Sequence, residues 1–570
     1  MQEIRGQLTM RGIAIGCAGC VLITASSVYV ALKMGALPWP IIFAALLALF
    51  ALKAVSGGRF TLNEANVTHT VMSSGAMVAG GLAFTIPGAW ILGLGEGIST
   101  AQLLVTALAG SVIGLVASIA FRRHFIEGAK LEYPLGQAAA ETLKAGDAGG
   151  RTGVKLFGAM GFAALWSLLR DGLKLIPSMV AQLPIPGVVF GIYASPMMLA
   201  VGFLVGTGAM AVWFAGAVIG SFGIVVGAPA LGLASVDIAQ QVASCLGMGC
   251  MMGCGIAVIV RDIIPLGVRT IARKAGQAAR LNEPLGLTAA ACATRPQMRA
   301  AACSSGVAIL AIACAAVAVW LALDLPLGVS VLTVACAFVA CAMSAQSVGQ
   351  TSIDPMEIFG LIVLFLVAVV ANVADMQLFF VAALVAVACG LSGDVMNDFK
   401  AGAVLGTSPR AQWVGQGIGA VVGSIVAALT ISALFQAYGP DAFGPGKEFV
   451  SAQASVVATM IAGVPNMTAF LIGAAAGFAL YLVRFPAMML GLGMYLPFYM
   501  SLTAFLGVAV KGVVDLIHRR RMAGLSEDER AARDRAYSDT GLILASGLLG
   551  GESVMGIILA MIVSASALIG

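Results

Sequence analysis

LFFVAALVAVACGLSGDVMNDFKAGAVLGTSPRAQWVGQGIGAVVGSIVAALTISALF, residues 378–435, sets a polar stretch between two apolar runs. The polar stretch, 391–412, holds two aspartates, an asparagine, a lysine and an arginine, whereas the runs on either side of it carry no charge. Ionisable groups at membrane depth are costly and therefore face a cavity or a partner. This stretch is the first candidate for a functional site.

The composition of the whole chain indicates a membrane protein. Of its 570 residues, 60% are hydrophobic and 10% are charged, whereas a soluble domain is roughly 25% charged. Uncharged runs such as 12–32 and 37–52 suit helices that cross a bilayer, which need about 20 apolar residues. Continuous runs, rather than short alternating segments, argue against a β-barrel. We predict an all-α polytopic protein of the lipid bilayer with about 14–16 transmembrane helices.

The basic residues predict the orientation of the chain, because cytoplasmic loops are rich in Lys and Arg. They place the N-terminus in the cytoplasm, and we expect a multi-pass protein of the cell (inner) membrane. The polar opening segment 1–10 is not typical of a cleavable signal peptide. The net charge of +5 is assigned to these loops and not to nucleic-acid binding. The basic residues used here are Arg5, Arg11, Arg122, Arg123, Lys130, Arg261, Arg269, Arg273, Lys274, Arg280 and Arg519–Arg521.

Two pairs of segments indicate an internal duplication. LGMGCMMGCGIAVIV (246–260) aligns without a gap on LGGESVMGIILAMIV (549–563), and MMLAVG (197–202) aligns on MMLGLG (488–493). We predict a first membrane repeat at 1–285, a basic cytoplasmic linker at 286–299 and a second membrane repeat at 300–570. The two repeats are expected to share one orientation, with a site between them near the middle of the bilayer.

Polar islands interrupt the apolar pattern at four places. We expect broken or re-entrant helices at the third and fourth, because such backbone is tolerated where it lines protein or water. The third island, 127–146, has an ordinary cytoplasmic loop as its alternative interpretation. In the fourth, Asp394 and Asp398 share one helix face, and Lys400 is close enough to form a purely structural ion pair. Glu552 replaces Gly249 of the other repeat. The first two islands are 60–70, with Glu64 and Asn66, and 351–360, with Asp354 and Glu357.

The islands resemble those of the oligopeptide transporter family, in its prokaryotic branch related to the yellow-stripe-like carriers of metal chelates. The resemblance runs nearly end to end, and its most specific part is D-x-K-x-G-x-x-x-G-x-x-P, here 398–409. Many relatives carry a glutamate where this chain has SSGAMVAGG (73–81), which leaves Glu552 as the equivalent-looking carboxylate. Further matching segments are 6–35, 79–90, 130–146, 351–360, 493–507 and 545–556. The resemblance implies a proton-driven secondary transporter of short peptides or peptide-like chelates.

The functional hypothesis is a central cavity with an acidic side formed by Asp354, Asp394 and Asp398. Lys400 and Arg410 are expected opposite, because a peptide zwitterion needs an anion at one end and a cation at the other. Proton coupling needs a carboxylate whose affinity for protons differs between the two access states. The full set of candidate substrate-binding or proton-coupling residues is Glu64, Asn66, Asp354, Glu357, Asp394, Asn397, Asp398, Lys400, Arg410, Gln412 and Glu552.

Alternative functions remain open at this stage. A carrier of siderophore or nicotianamine-like metal chelates is the main alternative, although the chain has only three histidines. A passive channel and, remotely, an intramembrane aspartyl protease are others, but the glycine–aspartate resemblance at 390–394 is faint. We expect no enzyme activity, no cofactor and no resident metal. The sequence specifies no oligomeric state, and a homodimer is the assembly that polytopic carriers commonly adopt.

Overall fold

The structure is a computed structural model that describes residues 6–34, 37, 40–147, 152–258, 260–261, 295–351, 354, 356–463, 465–522 and 526–569. Helices form most of this part of the chain. The first eleven α-helices are α1 (Met10–Met34), α2 (Pro40–Ser56), α3 (Leu62–Ala83), α4 (Pro87–Ile91), α5 (Thr100–Arg122), α6 (Pro134–Asp147), α7 (Thr152–Ser167), α8 (Pro196–Val205), α9 (Thr207–Val218), α10 (Gly227–Ala230) and α11 (Val236–Val258).

Ten further α-helices follow in the second part of the described chain. They are α12 (Arg295–Ala322), α13 (Leu327–Thr351), α14 (Met356–Val370), α15 (Asp375–Leu405), α16 (Pro409–Tyr438), α17 (Ala452–Ala462), α18 (Met467–Leu482), α19 (Ala487–Tyr495), α20 (Phe498–Arg521) and α21 (Glu527–Ile569). The predicted basic linker at 286–299 lies outside the described residues up to residue 294, and α12 begins at its last part.

The only strands in the described residues form one antiparallel hairpin, β1 (Met179–Ile185) and β2 (Val188–Tyr193). π-helical turns extend three helices, at Arg123–Gly128, Leu168–Gly172 and Ile219–Val226. Short 3₁₀ turns lie at Gly95–Gly97 and Pro440–Ala442. The hairpin packs against α20, where the Thr503 hydroxyl accepts a hydrogen bond of 2.8 Å from the Tyr193 amide.

The helices have the length and composition of membrane spans. Eight helical segments in the described chain are long and apolar enough to cross a bilayer, and six further apolar helices have 10–17 residues. This confirms the prediction of an all-α polytopic membrane protein. The eight segments are Met10–Lys33, Leu62–Ile91, Thr100–Gly128, Thr207–Ala230, Leu327–Gly349, Asp375–Leu405, Pro409–Tyr438 and Phe498–Arg521.

Helix α15 is the central element of the bundle. Every residue from Leu378 to Phe399 is buried, and the helix packs against α3, α5, α13 and α14. A helix that is apolar all round belongs in the interior of a large protein or in a membrane. The charged part of α15 is therefore enclosed by other helices rather than exposed to lipid.

Glycines bring α3 and α16 into backbone contact beside α15. Gly415, Gly419 and Gly423 repeat every four residues on α16 and face α3, so a side chain at Gly423 would begin 2.3 Å from the Cα atom of Gly75. Small residues at this spacing allow membrane helices to approach closely. The close approach positions the polar residues of both helices against α15.

The polar stretch at 391–412 is helical through both aspartates, and its interruption lies near its end, between Leu405 and Pro409. Helix α15 continues through Asp394 and Asp398 to Leu405, and Gly406, in the left-handed conformation with φ 76°, ends it. Helix α16 begins at Pro409. The helix continues because the stretch contains no proline before Pro409, and because neighbouring helices supply hydrogen-bond partners for its polar side chains.

The third island is interrupted and packed into the protein. After the π-helical turn at Arg123–Gly128 the chain reaches Tyr133, whose backbone has φ 44° and whose side chain is fully buried. The Tyr133 hydroxyl donates a hydrogen bond of 2.9 Å to the Ala345 carbonyl, and its amide donates one of 3.0 Å to the Gly349 carbonyl. At this anchor the island is not a loop in bulk water.

Helix packing recurs in the two parts of the chain. Helices α1 and α2 pack on α3 as α13 and α14 pack on α15. Helix α8 packs on α20 and α21, and α19 packs on α9 and α11. The segments aligned by sequence lie in α8 and α19 and in α11 and α21. The division into repeats at 1–285 and 300–570 stays a prediction.

We predict that Gly419→Val destabilises the bundle and that Gly417→Val, on the same helix, does not. A Cβ atom at Gly419 would lie 2.2 Å from the Val71 carbonyl oxygen, whereas one at Gly417 would meet nothing within 4 Å. Overpacking of this kind costs about 1–3 kcal/mol. The measurement is the melting temperature of detergent-purified protein. Equal melting temperatures for the two variants would contradict the packing of α3 against α16.

Candidate functional site

The site is built around the carboxylate of Asp398 on α15, which is fully buried. The Ser73 hydroxyl donates a hydrogen bond of 2.8 Å to its Oδ2 atom, and the Gln416 side-chain amide donates a second to the same atom. The Nδ1 atom of His69 lies 3.7 Å from its Oδ1 atom. Three helices, α3, α15 and α16, therefore meet at one carboxylate.

Helix α3 supplies its side of the site as a polar stripe. Asn66, His69, Thr70 and Ser73 are spaced at i, i+3, i+4 and i+7, which puts them on one helix face. All four side chains are buried. The Asn66 side-chain amide donates a hydrogen bond of 3.0 Å to the hydroxyl of Thr407, which follows the end of α15. The stripe thus follows α15 from Asp398 to its C-terminal end.

Helix α16 contributes two glutamines one turn apart. The Gln412 amide donates a hydrogen bond of 2.6 Å to the backbone carbonyl of Asp398, and Gln416 binds the Asp398 side chain. A Cβ atom on Gly402 would lie 2.0 Å from the Gln412 Oε1 atom, so glycine is required there for the amide to reach α15. Both glutamines are fully buried.

Two further aspartates lie on or against the same stretch of α15. Asp394 lies one helical turn before Asp398 and is 4% exposed. Asp354, in the interruption between α13 and α14, accepts a hydrogen bond of 2.9 Å from the Ser344 hydroxyl. Its Oδ2 atom would lie 2.6 Å from a Cβ atom placed on Gly393. Glu357 follows one residue into α14 and is 7% exposed. We name Asp354, Asp394 and Asp398 the acidic cluster.

The acidic cluster has hydrogen-bond acceptors without donors. Within the described residues, one carboxylate oxygen of each of the three aspartates is buried without a hydrogen-bond partner. The same holds for the amide oxygens of Gln412 and Gln416. Unpaired buried acceptors are costly, and a proton or a cationic ligand group would satisfy them. The arrangement is thus suited to binding positive charge.

The two predicted cations are not part of the acidic cluster. The Lys400 ammonium group donates a hydrogen bond of 2.8 Å to the Leu131 carbonyl, and Arg410 is exposed at the start of α16. In the described chain neither forms an ion pair with an aspartate of the cluster. Their place opposite the aspartates in a central cavity stays a prediction, and in this conformation the Lys400 side chain is directed to the Leu131 carbonyl. Asn397 is buried, and its side-chain oxygen accepts a hydrogen bond of 3.2 Å from the Gly136 amide.

Glu64 ties two helix ends together away from the acidic cluster. Its carboxylate accepts two hydrogen bonds of 2.7 Å from Arg11 and one of 2.6 Å from the Thr9 hydroxyl. Forked pairs of arginine with carboxylate fix geometry as well as charge. Glu64 therefore clamps the start of α1 to the start of α3 and is paired in this conformation.

Glu552 is also paired and lies at a second place in the protein. It accepts hydrogen bonds of 2.8 Å each from Arg170, from the Ser195 hydroxyl and from the Met197 amide. Arg170 in turn binds Asp171 through two atoms, at 2.6 and 2.8 Å. Because every oxygen of Glu552 has a partner, its role in this conformation is to join α21 to the segment before β1 and to α8.

Sequence reasoning left out several residues of the site. Ser73, Gln416 and Ser344 contact the aspartates directly, but none of them is charged. The signal that could have found them is helical spacing: Ser73 continues the stripe of Asn66 and His69, and Gln416 follows Gln412 by one turn. Within the described residues, no group of three His, Cys, Asp or Glu side chains has the arrangement of a metal site.

Comparison with known proteins shows similarity over nearly the whole chain. The family model described as OPT oligopeptide transporter protein matches residues 7–563. A Haemophilus influenzae protein named "Putative oligopeptide transporter" is 25% identical over 607 aligned residues, covering 94% of this chain and 93% of its own length. The metal-nicotianamine transporters YSL2 and YSL3 of Arabidopsis thaliana are each 36% identical over 102 residues, 17% of this chain. These two matches cover 15% and 14% of the plant proteins.

We predict that Arg170→Met and Glu552→Gln each lower the melting temperature of the detergent-purified protein. Both side chains are at most 1% exposed, and removing one partner of a buried ion pair costs about 3–5 kcal/mol. The double variant should lose less stability than the two single variants added together, since each single change leaves a buried charge unpaired. The control is Arg123→Met, at a side chain 92% exposed. If Arg170→Met and Arg123→Met have the same melting temperature, the ion pair of Arg170 and Glu552 does not contribute to stability.

Proposed function

The chain belongs to the oligopeptide transporter (OPT) family, and on that premise we propose that it imports short peptides or related small organic solutes by proton-coupled alternating access. It is a transporter and not an enzyme, so the intramembrane protease interpretation is set aside. The observation that carries the proposal is the acidic cluster, because it combines two buried aspartates and the half-buried Asp354 with unsatisfied acceptors at the central helix of the bundle.

Proton coupling is supported by the surroundings of Asp398. Its buried neighbours Ser73 and Gln416 are neutral, and His69 carries charge only when it is protonated. A carboxylate enclosed without a fixed cation is costly when it is ionised. Protonation, or the amine of a bound solute, removes that cost. In our proposal the aspartate binds a proton when the site faces the outside and releases it when water reaches the site from the inside.

Alternating access is supported by the contacts between the predicted repeats. Asp398 lies on α15 of the second repeat, whereas Ser73 and His69 lie on α3 of the first. Rocking of one repeat against the other would separate these groups and admit water to the carboxylate. The site would then differ between the two access states, as coupling requires.

The basic residues support an inner-membrane protein whose N-terminus lies on the cytoplasmic side. Arg11 binds Glu64 at the start of α3, and it also donates a hydrogen bond of 2.8 Å to the Arg59 carbonyl. The Arg122 guanidinium lies 5.4 Å from the Phe399 ring, near the end of α15. Helices α3 and α15 run antiparallel, since Gly81 faces Val387 and Ser73 faces Asp398. Arg11, Arg59 and Arg122 thus gather at one end, which the positive-inside rule assigns to the cytoplasm.

A second candidate function is import of metal chelates. It is favoured by the local identity with the two plant metal-nicotianamine transporters. Such a solute also carries amine and carboxylate groups, so the acidic cluster does not discriminate between the two classes. Competition between trialanine and iron–nicotianamine for uptake by the same vesicles would rank them.

We predict that Asp398→Asn abolishes uptake driven by a pH gradient in reconstituted vesicles, because the amide cannot exchange a proton. Asp375→Asn is the matched control, since Asp375 is an exposed residue in the first turn of the same helix. Uptake of labelled trialanine and of iron–nicotianamine is measured with the gradient imposed and with the gradient collapsed by an ionophore.

Wild-type protein and the Asp375→Asn variant should lose uptake when the gradient is collapsed. The Asp398→Asn variant should show no gradient-driven uptake in the first place, while solute exchange across its vesicles in the absence of a gradient is retained. Undiminished gradient-driven uptake by Asp398→Asn would remove this residue from the mechanism. Wild-type uptake that ignores the gradient would favour a passive channel.

A further inference from the structure

A second polar site lies at the opposite end of α1 from Arg11. Lys33 is in the last turn of α1 and is only 5% exposed. At 1.5 Å per residue it lies about 33 Å along the helix from Arg11. With the N-terminus in the cytoplasm, Lys33 is therefore near the extracytoplasmic end of the bundle, where an imported solute would arrive.

The partner of Lys33 is a single carboxylate on a connecting segment. Glu448, between α16 and α17, forms an ion pair with the Lys33 ammonium group. The segment is held to α1 by a hydrogen bond of 2.8 Å from the Ser451 amide to the Leu32 carbonyl. The ammonium also lies 5.8 Å from the ring centroid of Tyr29 and 5.4 Å from that of Phe449.

The two members of this ion pair differ strongly in burial. The Lys33 side chain is 6% exposed, whereas the Glu448 side chain is 52% exposed. Glu448 can therefore exchange its partner for water at small cost. Lys33 cannot, because a buried ammonium without a counter-charge is strongly unfavourable. When Glu448 leaves, another anion has to replace it.

Aromatic rings adjoin the Lys33 ammonium group. The Phe449 ring beside it packs against the rings of Tyr29 and Tyr438, with centroid distances of 5.8 and 5.1 Å, and the rings of Tyr193 and Tyr499 pack on each other at 5.9 Å. Among the described residues, no hydrogen-bond partner is found for the four tyrosine hydroxyl groups. We name the four tyrosines with Lys33 the tyrosine chamber.

The nearby Arg170 cannot act as the anion-binding group of the chamber. Its guanidinium lies 4.8 Å from the Tyr193 ring, but its nitrogens bind Asp171, Glu552 and the Ala194 carbonyl. Arg170 thus supports the chamber through Tyr193, and its own charge is neutralised. Lys33 remains the one cation of the chamber whose partner can be exchanged.

We propose that Lys33 binds a carboxylate group of the transported solute, and that Glu448 takes the place of that carboxylate in the solute-free protein. This inference rests on the proposed import function. The ligand class is a small organic solute with an accessible carboxylate and an uncharged or apolar part that packs on the tyrosine rings. Short peptides and amino-carboxylate chelates share this chemistry.

The tyrosine chamber is too far from the acidic cluster for one small peptide to occupy both. Cys20 of α1 lies level with Gly75 on α3, close to Ser73 and hence to Asp398. The 13 residues from Cys20 to Lys33 correspond to about 20 Å, whereas an extended tripeptide spans about 10 Å. The chamber is thus a separate recognition site on the way to the acidic cluster.

The test is solute binding by the full-length protein in detergent, where no gradient is present. Isothermal titration compares trialanine with trialanine amide, which lacks the terminal carboxylate, and adds iron–nicotianamine as a second carboxylate ligand. The variants are Lys33→Met and Glu448→Gln. The matched controls are Lys447→Met and Asp441→Asn, both at exposed positions of the same segment.

We expect wild-type protein to bind at least one carboxylate ligand, and trialanine amide at least tenfold more weakly than trialanine if the peptide is that ligand. Lys33→Met should weaken binding of the carboxylate ligand at least tenfold, and Lys447→Met should not change it. Glu448→Gln should tighten binding several-fold, since it removes the competing carboxylate, while Asp441→Asn has no effect.

The proposal is overturned if neither carboxylate ligand binds, if trialanine and its amide bind equally, or if Glu448→Gln leaves the affinity unchanged. The peptide-amide and Glu448→Gln comparisons need no Lys33 variant, so they decide the matter even if Lys33→Met does not fold. Failure of the proposed proton coupling looks different: gradient-driven uptake would be absent while Lys33-dependent binding persists.

Discussion

The structure depends on one constraint: carboxylates inside a membrane protein need groups within hydrogen-bonding distance that compensate for lost water. Asp398 meets it through Ser73 of α3 and Gln416 of α16. Both helices can reach it only because glycines such as Gly75 and Gly423 let their backbones touch. The small residues of the sequence and its few buried charges are therefore parts of the same arrangement. What remains unsatisfied at the cluster is the capacity to accept positive charge.

Buried charge is treated in two different ways in this protein. At Glu552 and Glu64 each carboxylate is paired with an arginine and joins distant parts of the chain. At the acidic cluster no fixed cation is present among the described residues, and at Lys33 the counter-charge is half exposed. Saturated pairs hold the fold in one conformation, whereas incompletely satisfied groups can respond to a ligand or a proton. A transporter needs both kinds.

The helical membrane class was predictable from composition, since long uncharged runs allow few other structures. The importance of Asp354, Asp394 and Asp398 as a group was predictable from the cost of charge, and the structure brings the three together. The continuous helix through 391–405 was not predictable, because polar content alone does not decide whether a helix breaks. The contact of Lys400 with the Leu131 carbonyl was not predictable either, because proximity in sequence says little about side-chain direction. Lys33 escaped notice because its partner, Glu448, is more than 400 positions away.

The central claim is that the face of α3 opposite Asp398 lines a water-accessible path in some conformation of the protein. Its most direct test is labelling of Ser73→Cys, in a variant whose other cysteines are replaced, with a membrane-impermeant thiol reagent added to either side of sealed vesicles. Ser73 is fully buried in the present conformation. The account predicts labelling that depends on pH or on added solute. Complete inertness from both sides, while Asp375→Cys reacts, would contradict it.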